Sequence, residues 1–322
     1  MRNEWRKSYK PVSNYRTLKG HEGKKMKTEH SYLTHVLIDT SDGQDRSVIA
    51  SNGECVYIPT PEGWKGSYQD KKAWRDEECY PKESFPAFDE REVLFQGQRR
   101  TIASFLANPK YRQFIMHDDP EFVTWTYGLT PRNPLTQQLL TSGREGDLIF
   151  LGATMKLFGA EQYWAKFLIG VLVLEALYYA GFEKNNKMKS MLESISFAKK
   201  FTEYGFTPRL AQNFHYKAEY ELEGGDGILI ITGNQQTSVL LDRCPIRITE
   251  WNTRNGEPIK PFKDWDRMPH FFRGSPGIHS TETAEKIWNL IHTVKRGDAF
   301  VGHPDSKIGT YHLALSEGSN RK

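Results

Sequence analysis

His117-Asp118-Asp119 is the cluster of this 322-residue chain whose residue types come closest to chemistry. An imidazole beside two carboxylates can hold a divalent ion or take up a proton as a general base. Consecutive side chains rarely converge on one point, so the same three residues also read as a polar turn ahead of Pro120. His303-Pro304-Asp305-Ser306-Lys307 and Asp242-Arg243 hold the carboxylates and lysine of a Mg²⁺-dependent nuclease, but lack the separated second acid and lysine of an adjoining strand. The ten histidines otherwise lie scattered, with neither HExxH nor paired zinc spacing. No GxxxxGK[ST], GxGxxG or G-x-S-x-G stretch occurs, which leaves nucleotide-hydrolase, dinucleotide and serine-esterase chemistry without support. No metal and no cofactor is expected from this inventory.

Charge points elsewhere. The net charge is +4, yet residues 1–27 hold nine lysines and arginines against Glu4 and Glu22, so the remaining 295 residues are net acidic. An arm carrying Arg2, Arg6, Lys7, Lys10, Lys24 and Lys25 among Trp5, Tyr9 and Tyr15 can neutralise phosphates and stack on bases; it also reads as a solvated terminus. Trp251, Trp265, His270, Phe271 and Phe272 form a second aromatic and basic stretch, suited either to stacking on bases or to covering a core. Cys55, Cys79 and Cys244 are widely spaced, which argues against a disulfide framework and for a reducing, cytoplasmic home. The most apolar run, FLIGVLVLEALYYAGF, is too short and too interrupted by Glu175 to cross a membrane as a helix.

Several elements must carry these residues. SYLTHVLIDT reads as a first strand, and Ser51-Asn52-Gly53 marks the turn of a hairpin. Residues 101–116 look helical but are broken at Asn108-Pro109, which predicts two short helices. EVLFQG at 92–97 matches the recognition sequence of picornaviral 3C-type proteases, a coincidence in mid-chain. Asn133-Pro134 opens a helix that Gly143 closes. KFLIGVLVLEALYY is assigned to a buried strand on its Val/Ile content and Gly170. Met188, Met191, Leu192, Ile195, Ala198 and Phe201 recur at helical spacing, predicting a helix over 186–204. GILIITG, TSVLLDR and PIRITEW are further strands, Thr281 to Arg296 a last helix, and AFVGHP a terminal strand.

Three Gly-Asp turns, at Asp147, Asp226 and Asp298, each introduce an apolar run. At Asp147 the order WTYGLTPRNP, helix, REGDLIF, loop, FLIGVLVLE resembles the PUA-like EVE and ASCH group of small β-barrels. SNGECVYIPTPE, HDDPEF, REGDLIFLGA, PIRITEWNTRNGEPIKPFKDWDRMPHFF and KRGDAFV resemble, in that order, the third nucleotide-modification-associated domain family. Where that family opens with a Ser-Arg-Lys-Gly-type stretch, this chain has Asp39-Thr40-Ser41-Asp42-Gly43.

Charge sets off a basic arm over 1–30, and the resemblance implies that 31–322 is one α+β domain with a PUA-like mixed β-barrel core around 120–180 and flanking helices. It further implies that Trp125, Tyr127, Arg132, Asn133 and Lys156 face a cleft for a nucleotide or modified base, while Asp147 ties its turn. The expected partners are DNA or a modified nucleotide, and a modification or restriction enzyme. Three classes stay open. A binding module needs an aromatic and polar cleft, a base-modifying or hydrolytic enzyme needs convergent carboxylates and histidines, and an accessory protein needs an exposed apolar patch.

Overall fold

The stretch richest in valine, leucine and isoleucine does form the longest element, because β-branched residues pack well on a pleated surface with both faces covered. In chain order the strands are β1 (Ser31–His35), β2 (Ser47–Ile49), β3 (Cys55–Val56), β4 (Thr60–Pro61), β5 (Glu92–Phe95), β6 (Gln98–Thr101), β7 (Met116–His117) and β8 (Thr126–Leu129). They continue as β9 (Leu148–Leu157), β10 (Ala160–Ala180), β11 (Ala198–Lys200), β12 (Ile228–Gly233), β13 (Val239–Leu240), β14 (Ile246–Arg247) and β15 (Gly277–Ile278). The helices are α1 (Pro134–Ser142), α2 (Asn186–Ser194) and α3 (Thr281–Lys295). This is a computed structural model; it describes residues 30–38, 45–61, 88–112, 116–118, 120–129, 131, 133–182, 185–200, 210, 213, 227–241, 243, 245–252, 277–278 and 280–295.

The chain is an α+β protein built on a curled, half-barrel sheet. β10 is its spine. One edge of β10 pairs antiparallel with β9 and, further along, parallel with β11; the other edge takes β12, β13 and β14 in succession. β1 and β2 lie parallel to successive halves of β9, β15 flanks β1, and β8 closes on β12. A bulge between Leu168 and Gly170 shifts the β9–β10 register. Glycine is required there, since a Cβ on Gly170 would collide with the Val239 carbonyl oxygen.

Side chains alternate across a sheet, so the register assigns each residue a face. On one face β9 and β10 contribute Ile149, Leu151, Ala153, Met155, Ala165 and Phe167, all buried in the main core. The other face carries Thr154 opposite Lys166 and Lys156 opposite Trp164. A second cluster, including Val48, Ile58, Phe95, Phe105 and Met116, forms around the 88–117 segment.

Local signals produced several elements as expected. Asn133 caps α1 by accepting from the Leu135 amide at 2.9 Å, and β2 and β3 pair as a hairpin. Others differ. The 186–204 helix ends at Ser194, and residues 198–200 instead join β10 as β11, with the Leu177 amide donating to the Phe197 carbonyl. Hydrogen bonds on the open edge of β10 outweigh a helical pattern of weak propensity. The two helices expected over 101–116 are single 3₁₀ turns, Ile102–Phe105 and Pro109–Tyr111, separated where proline forbids a continuous ladder. EVLFQG forms β5 and the turn of the β5–β6 hairpin, with Gln96 (φ 50°) and Gly97 (φ 73°) both in the left-handed region.

Candidate functional site

The segment singled out by sequence runs from Trp125, just ahead of β8, to Asp147, just ahead of β9. The Trp125 backbone is left-handed (φ 52°), and its ring is 8% exposed and set edge-on to Phe122 at 6.0 Å. Tyr127, 5% exposed, sits in β8 opposite Ile231 of β12. Both rings belong to the main core, so the expectation that they face a cleft is corrected: the face a base would stack on is packed against protein. Asn133 is committed to capping α1. Asp147, itself buried, accepts from the Arg144 amide at 2.8 Å and lies 3.4 Å from the Tyr32 hydroxyl, closing the turn as expected. Burial pushes the Asp147 carboxyl above its usual range, against the Arg144 hydrogen bond.

The His117 cluster is divided. His117 lies in β7 opposite Thr60, while Asp118 forms an ion pair with Arg91 at 3.0 Å. Glu121 stands near Asp118, and burial together with that neighbouring charge pushes its carboxyl up to about 7. Among the described residues no three histidine, cysteine or acidic side chains converge on a possible metal position. Arg132, Asp119, the His117 side chain, Asp242, His303 to Lys307, Asp226, Asp298, Trp265, His270, Phe271, Phe272, the terminal AFVGHP strand and the arm with Arg2, Arg6, Lys7, Lys10, Lys24 and Lys25 lie outside the described residues. Leu94 and Val123 are the exposed large apolar side chains among those described.

Lys156 points to the region that does gather cations. On the polar face of β9 it is buried, and its Nζ donates to the Phe105 carbonyl at 3.0 Å. The buried Asp45 carboxylate lies near that ammonium and accepts from the Ala107 and Asn108 amides, so Lys156 and Asp45 together pin the 105–108 segment to the sheet. Beyond Lys156 the same face carries Thr154, Trp164, Lys166, His35 and Arg46.

Each is placed by the sheet. His35 ends β1 beside Gly152, and its Nε2 accepts from the Thr154 amide and lies 3.1 Å from the Thr154 hydroxyl. An amide can only donate, which places the proton of a neutral His35 on Nδ1. The Arg46 guanidinium stacks over the Trp164 ring at 4.8 Å. Lys166 is the cross-strand partner of Thr154; it is 3% exposed, and burial pushes its ammonium down to about 7. The backbone of Lys166 is held on its outer side as well, its amide donating to the Thr249 hydroxyl at 3.0 Å and its carbonyl accepting from Ile248.

A patch of this kind can bind an anion and stack a planar ring on a guanidinium. Its signal was present in the sequence. Lys166 is the one basic residue of the Ala160–Ala180 strand, and LIFLGATMKL puts Thr154 and Lys156 on one face by simple alternation. What joins His35 and Arg46 to them is the parallel placement of β1 and β2 along β9. Compared with family models, curated proteins and solved structures, the chain matches none. No helix among the described residues is long and apolar enough to cross a membrane.

Proposed function

We propose that the protein binds a nucleotide or modified base through the polar face of β9 and β10, in the service of nucleic-acid modification. The observation that carries this reading is Arg46 stacked on Trp164 beside Lys166 and the His35–Thr154 pair. The cations suit a phosphate, and the outer plane of the guanidinium suits a base. On this reading the curled sheet is a PUA-like barrel core, supported by the helix–turn–strand order from Asn133 to Leu157 and by the resemblance to nucleotide-modification-associated proteins. The protein then works in the cytoplasm, alone or beside a modification or restriction enzyme, and the basic arm adds contacts to the phosphates of a polymer.

The test is calorimetric titration of the full chain with nucleoside monophosphates and single-stranded oligonucleotides. Arg46→Met and Lys166→Met are each expected to weaken binding about tenfold, or ~1.4 kcal/mol, in folded protein. Removal of residues 1–27 is expected to flatten the salt dependence for oligonucleotides and leave mononucleotide affinity unchanged. Unaltered affinity in both folded point variants would place the site elsewhere.

A further inference from the structure

Trp164 and Lys166 of the polar face have their backbones held in an unusual way on the outer edge of β10. In a regular antiparallel pair each amide donates to the carbonyl of the facing residue. β10 pairs in this way through Leu168 and Phe167, opposite Ile246 and Arg247 of β14. From there only half of each pair is backbone. The Ile248 amide donates to the Lys166 carbonyl at 2.8 Å, but the Lys166 amide donates to the Thr249 hydroxyl at 3.0 Å. The Asn252 amide donates to the Trp164 carbonyl at 2.8 Å, but the Trp164 amide donates to Oδ1 of Asn252 at 3.0 Å.

The reason lies in the partner chain. While β10 runs from Lys166 to Trp164, the partner takes the longer path from Ile248 to Asn252, and residues 249–251 bow out of the ladder. The bow is anchored on the apolar face, where the Trp251 ring packs on Phe167 at 6.1 Å and on Tyr163 at 6.4 Å. Asn252 then returns to β10 with a left-handed backbone (φ 59°), a conformation that asparagine accepts more readily than most residues with a side chain. Its side-chain carbonyl stands in for the backbone one that a regular strand residue would offer.

The other edge holds Trp164 less firmly. It is the residue at which β10 regains register with β9, opposite Lys156, after an irregular stretch from Ala160. Its half-buried ring carries the Arg46 guanidinium at 4.8 Å. A ring at the end of a paired stretch moves with its backbone, and a binding group is only as well placed as the hydrogen bonds behind it. We infer that Asn252 is a positioning residue of the polar-face site: through the Trp164 amide it sets the indole on which Arg46 stacks, and Thr249 does the same for the backbone of Lys166. This role presupposes the reading of that face as a nucleotide site.

β10 supplies its own control. Further along the same strand the Val173 amide donates to the Ser238 hydroxyl, also at 3.0 Å. Asn252→Gly, Thr249→Val and Ser238→Ala each delete one side-chain acceptor from a β10 amide, and glycine takes the left-handed backbone without strain. In calorimetric titration of the full chain with nucleoside monophosphates, Asn252→Gly and Thr249→Val are expected to weaken binding at least about threefold and Ser238→Ala to leave it unchanged. Thr249→Ser keeps the hydroxyl and is expected to restore wild-type affinity. Unchanged affinity in folded Asn252→Gly would overturn the positioning role, as would an equal loss in all three variants, which would mean a general loosening of β10.

A spectroscopic measurement needs no ligand. Asn252→Gly is expected to alter the near-ultraviolet circular dichroism of the indoles, while Asn252→Asp, which keeps an oxygen for the Trp164 amide, retains the wild-type spectrum. The change must vanish in a Trp164→Phe background. One that persists there comes from Trp251 next door and counts against the role. The site and its positioning residue fail separately. Binding that falls with Arg46→Met and Lys166→Met yet ignores Asn252→Gly leaves the site standing and removes Asn252 from it; binding indifferent to Arg46→Met and Lys166→Met removes the site, and the role of Asn252 with it.

Discussion

The segment from Glu121 to Asp147 and the paired strands around Lys166 both bury polar groups, and they treat them differently. Along the first, the chain answers its own needs within a few residues. Glu121 and Thr126 exchange backbone hydrogen bonds, the Val123 amide donates to the Glu121 carboxylate, Asn133 caps α1, and Asp147 closes the turn back to Arg144. Along the second, cations are placed by strands far apart in sequence, and Arg46, Lys156 and Lys166 share one sheet face with Trp164 and Thr154. The first pattern is that of a structural joint; the second keeps charge where a stability-driven design would place an apolar side chain.

Truncation at the joint should give the largest effect. Trp125→Ala removes a buried ring from the main core and should cost about 3–5 kcal/mol in chemical denaturation, with mononucleotide affinity unchanged in whatever fraction stays folded. The reverse outcome, full stability with lost binding, would exchange the roles of the two regions. Asp147→Ala comes next. It leaves the Arg144 amide without its acceptor and should cost about 1–3 kcal/mol, again with no change in affinity. Wild-type stability in that variant would mean that glycine conformation alone holds the turn, since Gly146 already takes φ 90°.

A further test separates Glu121 from Lys166 by the sign of a pH dependence. Glu121, at about 7, lies above its unfolded value of 4.5, so the native state binds more protons and stability falls as pH rises from about 4.5 to 7. Asp45 and Asp147, also raised by burial, act in the same direction from their ordinary value of 3.8 upward. Lys166, at about 7 against 10.5 unfolded, acts oppositely: the unfolded state binds more protons, and stability recovers as pH rises from about 7 to 10.5. Together these place a minimum in melting temperature near neutral pH. Glu121→Gln should flatten the acidic limb and Lys166→Met the alkaline one. A curve with a single maximum near neutrality in wild type would contradict both assignments.

How much was legible follows from how far apart the cooperating residues lie. The α1 cap, the Asp147 turn and the β2–β3 hairpin each depend on residues within one or two turns of chain, and each forms as its residues suggest. Trp125 and Tyr127 were misplaced because a polar-aromatic string has no marker for which way its rings face. The left-handed backbone at Trp125 and the pairing of β8 with β12 turn both inward. Trp251 was noted as either a stacking ring or a core ring, and the slip in pairing beside β10 gives it core neighbours while leaving its N–H without an acceptor.

The sequence by itself determined what is local or compositional: where helices start, which turns need glycine, and that Gly170 and the Val/Ile content of the 166–179 run favour a buried strand over a buried helix. Tertiary structure alone decided the company each polar residue keeps. His35 meets Thr154 across 119 residues because β1 runs parallel to β9, and a parallel pair needs a long crossover that no local signal specifies. The same holds for α2, which stops at Ser194 because the edge of β10 offers residues 198–200 a hydrogen-bonding partner. Local propensities amount to tenths of a kcal/mol per residue, and a long-range partner of that kind outweighs them.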